Sequence, residues 1–76
     1  MTASDLQDLL TATLTRQLGG SRRRWKTVLG AVRVYDPATH PHCNWSVAPS
    51  GSVAEVAAVE RLLDRMRGEQ PIVSEG

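Results

Sequence analysis

Histidine, cysteine and carboxylate side chains carry most protein chemistry at neutral pH, and in this 76-residue sequence they gather at two places. The first is His40-Pro41-His42-Cys43. Imidazole and thiolate are good zinc ligands, but a structural site takes four, usually as pairs from two separate elements. The chain holds no other His or Cys, and Asp36 offers only an oxygen. No metal and no cofactor are expected. The segment reads instead as a proline-shaped turn leading into a strand that buries Cys43 as a small apolar residue. Cys43 beside His42 could pair a nucleophile with a base. Adjacent strand residues point to opposite faces, so those two side chains diverge. The second place is Glu60 and Asp64, one helical turn apart. Arg61, Arg65 and Arg67 are interleaved with them, the pattern of a solvated face with mutual ion pairs. No orienting third group, oxyanion motif or phosphate-cradling glycine loop accompanies either place, and no enzyme is expected.

The run Arg22-Arg23-Arg24-Trp25-Lys26 is the strongest local signal. Arginines contact phosphates, and tryptophan stacks on bases. With Arg33 and Tyr35 added, the run resembles the aromatic-and-basic sheet faces that bind single-stranded RNA. The sequence pI of 8.0 is low for a dedicated nucleic-acid domain, so this is the alternative function. The competing view makes the run a solubilising loop, with Trp25 covering the edge of the core.

These residues need elements to hold them. Leu6, Leu9, Leu10, Leu14 and Leu18 recur at helical spacing, which predicts a helix from Ser4 to Leu18 with a Ser4–Gln7 capping box and a Gly19-Gly20 stop. Alternation predicts a strand from Trp25 to Tyr35. Val28, Val32 and Val34 share its inner face. Trp25, Leu29, Ala31, Arg33 and Tyr35 share its outer face. A second strand is expected from Cys43 to Ala48, with Trp45 and Val47 inward. Its register pairs Val34 with Trp45 and Val32 with Val47, and sets Tyr35 opposite Asn44 and Arg33 opposite Ser46. Ser52 and Glu55 form a capping box for a helix from Val53 to Arg67, ended by Gly68. Its stripe is Val56, Val59, Leu63 and Met66, flanked by Val53 and Leu62.

The expected fold is a small single α+β domain over residues 1–68 in α-β-β-α order. A two-stranded antiparallel hairpin is covered on one face by both helices. Residues 69–76 form a C-terminal tail that docks through Ile72 and Val73. The order resembles that of double-stranded-RNA-binding domains. Those have a third strand before the last helix, for which this chain has no room, so no function follows.

At this length one core supplies roughly 3–5 kcal/mol, and small domains usually add disulfides, a metal or a partner. One cysteine permits no internal disulfide. That leaves a partner. Net charge is +1, but residues 1–35 carry six cations against two carboxylates and residues 36–76 carry three against six. Such polarity suits self-pairing or an anion. No apolar run approaches the roughly 20 residues of a membrane span, so no membrane association is expected. Without a secretory signal the expected location is the cytoplasm. Eight Arg to one Lys suggests a bacterial or phage genome. The expected function is a non-enzymatic protein–protein interaction module, a homodimer or a partner's docking site. Trp25, Leu29, Arg33 and Tyr35 on the open sheet face or edge make the contact. In the nucleic-acid alternative, Arg22, Arg23, Arg24 and Lys26 hold phosphates.

Overall fold

Thr2 starts the first helix, α1 (Ala3–Leu18). Its hydroxyl accepts from the Asp5 N–H at 3.1 Å, and the Asp5 carboxylate accepts from the Thr2 N–H at 3.0 Å. The box thus sits two residues before the expected Ser4–Gln7 pair, because it brings the acidic Asp5 into the first turn, where the helix dipole favours it. The Thr2 N–H also holds the Asp5 carboxyl below its ordinary value. Leu6, Leu10 and Leu14 are fully buried, whereas Leu18 is exposed beyond the last packed turn. Thr11 and Thr13 are buried too, and each hydroxyl donates to the carbonyl four residues back, so no polar group is orphaned. The computed structural model describes residues 1–75 of the chain.

The long strand expected from Trp25 to Tyr35 does not form. Residues Arg22–Leu29 form a helix, α2. Ser21 caps it by accepting from the Arg24 N–H at 3.0 Å, and Gly30 ends it at φ 66°. Trp25, Val28 and Leu29 are all buried, which is the i, i+3, i+4 spacing of a helix and not the alternation of a strand. Eight residues are too few to persist as an isolated helix. Burial sustains it, at about 1.5–3 kcal/mol for a Val or Leu side chain. Arg24 adds a two-pronged ion pair to Glu55, at 2.9 and 2.7 Å.

What remains of the strands is short. β1 (Arg33–Val34) pairs antiparallel with β2 (Trp45–Ser46), Arg33 opposite Ser46 and Val34 opposite Trp45. That register is the one alternation requires, although the ladder stops short of Val32 and Val47. The last helix, α3 (Val53–Glu69), opens on the Ser52–Glu55 box. It runs through Gly68 to a cap at Gln70, so Gly68 does not end it. Val59, Leu62, Leu63 and Met66 face the core, while Val53 is 89% exposed. Gly51, at φ 138°, leaves the space that the Glu55 carboxylate and Val28 occupy; a Cβ there would lie 2.8 Å from Glu55 Oε1. The architecture is mixed α+β in the order α1-α2-β1-β2-α3, in place of α-β-β-α.

The tail closes the molecule. Val73 is buried and Ile72 is exposed. The Asn44 side chain holds Val73 from both sides: Nδ2 donates to the Val73 carbonyl at 2.7 Å, and Oδ1 accepts from the Val73 N–H at 2.8 Å. The Asn44 N–H donates to Pro71, and the Trp45 indole N–H to Gln70. Ser74 then bridges to Thr2 as a parallel partner. Asn44 is consequently buried, not displayed beside Tyr35.

Candidate interaction surface

Tyr35 is the aromatic residue that the fold leaves at the surface, 38% exposed, and three neighbours fix it. Its N–H donates to the Asn44 carbonyl at 2.7 Å, and its hydroxyl lies 3.1 Å from that of Ser46. The third neighbour is His40, stacked on the ring with centroids 4.5 Å apart and planes inclined by 23°. A tight turn delivers His40 there. The Asp36 carboxylate accepts from the Ala38 N–H, and the Asp36 carbonyl accepts from the N–H groups of Thr39 and His40. Thr39 steadies the imidazole, its hydroxyl 2.9 Å from His40 Nδ1. One face of the Tyr35 ring is thereby occupied.

Arg33 lies two residues back along the same strand and is exposed. Among the described residues no carboxylate lies within ion-pair distance of it. Between them, Val34 presents backbone. Hydrogen-bonded pairs alternate along an antiparallel ladder, so the bond between Tyr35 and Asn44 turns the N–H and C=O of Val34 away from β2. No described group bonds to them on that open edge. At the C-terminal end of β1 a groove of about 690 Å³ opens toward the tail, lined by Val34, Tyr35 and Asp36 on one side and by Met1, Ile72 and Glu75 on the other. Met1, Tyr35 and Ile72 are three of the five large apolar side chains exposed among the described residues. Clustering of that kind marks contact surfaces; scattered exposed apolar residues do not.

The chain matches no protein-family model, and neither the curated proteins nor the solved structures yield a match. The surface must therefore be understood from its own chemistry.

Of the residues expected on the open face, the fold brings together Arg33 and Tyr35 only. Trp25 and Leu29 lie in the core, with the Trp25 indole N–H donating to the Gly19 carbonyl at 2.8 Å. Helical geometry turns them inward, so they cannot contact a partner in this fold. Of the basic run, Arg22, Arg23 and Lys26 are exposed on α2, and Arg24 is held by Glu55. His42 is exposed and Cys43 is half-buried, its thiol 3.4 Å from the Trp45 carbonyl. No group of three metal-ligating side chains forms among the described residues. No described helix is long and apolar enough to cross a membrane. Sequence reasoning missed His40 as the support of Tyr35, and missed Met1 and Ile72 as its neighbours. The Asp36-Pro37 turn start signals the first. The others share a groove with Tyr35 because Asn44 fixes Val73, 29 residues away, and Ser74 holds Met1 beside it.

Proposed function

We propose that this protein is a non-enzymatic, cytoplasmic protein–protein interaction module whose contact surface is the open edge of β1 and the groove beside Tyr35. The observation that carries it is the gathering of Met1, Tyr35 and Ile72 around one groove next to unpaired strand backbone. Strand edges with free N–H and C=O groups recruit extended segments by adding a strand. On this view the helices cover the Trp45 side of the hairpin and leave the Arg33–Tyr35 side to the partner. Arg33 and Tyr35 belong to the residue types that dominate contact energies.

The test is selection of peptides from a displayed random library on the wild-type protein and on a Tyr35→Ala/Ile72→Ser variant. Segments that bind the wild type and not the variant are expected. A library with no such segments, from a protein that also fails to self-associate, sinks the proposal. Nucleic-acid binding by Arg22, Arg23, Arg24 and Lys26 is weakened as the second function, because Trp25 is buried and Arg24 is paired.

A further inference from the structure

We infer that the strand added to β1 is β1 of a second copy of this chain, paired antiparallel about a two-fold axis through Val34. The inference rests on the edge-binding function proposed above and names its partner. Only residues of matching hydrogen-bonding phase face each other across an antiparallel pair. The groups free on the β1 edge belong to Val34, so a two-fold pairing centres there. Each Val34 N–H then donates to the Val34 carbonyl of the other copy. That register sets Arg33 opposite Tyr35 of the second copy, twice. Directly opposed residues on one face lie close enough for their side chains to interact.

The two side chains are complementary. Arg33 has no carboxylate partner among the described residues. Tyr35 has one ring face on His40 and its hydroxyl beside Ser46, and it remains 38% exposed. A guanidinium over a tyrosine ring is a favourable electrostatic pair. Pro37 lacks an N–H and limits the pairing to this short segment. The alternative of a second copy docking its basic helix is poorer. The exposed residues of α2 are Arg22, Arg23, Arg24, Lys26 and Thr27, which bring no apolar side chain to the groove.

The experiment is sedimentation velocity between about 10 μM and 1 mM protein. It compares wild type, Arg33→Glu, Tyr35→Lys and the double variant, with circular dichroism confirming that each is folded. Wild type should dimerise. Each single variant should weaken the dimer by about tenfold or more. Arg33→Glu sets a carboxylate against the electron-rich face of the Tyr35 ring of the other copy, and Tyr35→Lys sets an ammonium against Arg33. The double variant places opposite charges across the pair and should recover most of the loss. A dimer indifferent to the single changes, or a double variant no better than either, overturns this register. A strictly monomeric wild type at the highest concentration overturns the second-copy partner, while groove-dependent peptides from the display selection would still uphold the interaction module.

Discussion

Asn44 presents both halves of its amide to Val73, and its Nδ2 also donates to the Tyr35 carbonyl at 3.1 Å. One side chain thus joins the tail to the segment that carries Tyr35. Asn44→Ala should leave the Val73 N–H and two carbonyls without partners, at roughly 1–3 kcal/mol for each buried group orphaned. Denaturant unfolding would measure the loss, and hydrogen exchange should show the Val73 amide losing its protection. An unchanged midpoint with Val73 still protected would contradict the clamp. Trp25 makes the complementary case. Its ring is buried and its N–H is satisfied by Gly19. Trp25→Ala should therefore cost about 3–5 kcal/mol of stability, the range of core aromatic truncations. A surface tryptophan kept for binding would cost little.

The α2–α3 contact shows how an element is held when its own sequence is equivocal. α2 starts on three arginines and has no acid in its first turn, so its dipole opposes its charge. Ser21, the buried Trp25, Val28 and Leu29, and the Arg24–Glu55 pair offset that. The Arg24 guanidinium, helped by the Ser52 N–H, holds the Glu55 carboxyl well down, from 4.5 to about 2. A carboxyl lowered on folding stabilises the protein above its unfolded value and stops doing so as pH falls through its folded value. Stability from this pair should be complete above pH 4.5 and lost toward about pH 2. Thermal melting of wild type and Glu55→Gln from pH 7 to 2 should show two curves that differ at pH 7 and converge in acid. Parallel curves would refute the linkage. The same elements explain what could be read in advance. The Ser52–Glu55 box, the stripe Val59–Leu63–Met66 and the register Val34–Trp45 follow from periods without a competing fit. Trp25 to Leu29 fits both periods: Trp25, Thr27 and Leu29 alternate, while Trp25, Val28 and Leu29 share a helix face. Only Ser21, Gly30 and the distant Glu55 decide between them. Arg33 and Tyr35 were legible as exposed residues because they lie on and beside a strand that exists. Trp25 and Leu29 were assigned to a strand face that the helix replaces.

Across the whole molecule, charge separates along the chain, with the excess of cations before residue 36 and of carboxylates after it. Folding alters what that polarity can do. Arg24 is taken up by Glu55 from the acidic half, so the basic surface of α2 reduces to Arg22, Arg23 and Lys26. Single-stranded nucleic acid bound there would meet at most about three phosphate contacts, and a log–log salt slope of about −2 at −0.7 per contact. It would also lack stacking on Trp25, which is commonly worth roughly 1–3 kcal/mol per base. Three screened surface cations without a stacking platform give weak, shallow binding. Fluorescence anisotropy with labelled single- and double-stranded oligonucleotides at low salt is expected to show no saturable binding at tens of micromolar protein. Should binding appear, Arg22→Ala/Arg23→Ala/Lys26→Ala ought to abolish it, and Arg33→Glu, placed on the β1 edge, ought to leave most of it. A slope much steeper than about −2 would mean more cations engage than α2 displays. The contact surface would then have to extend from α2 to Arg33, and the β1 edge would serve nucleic acid in place of a second strand.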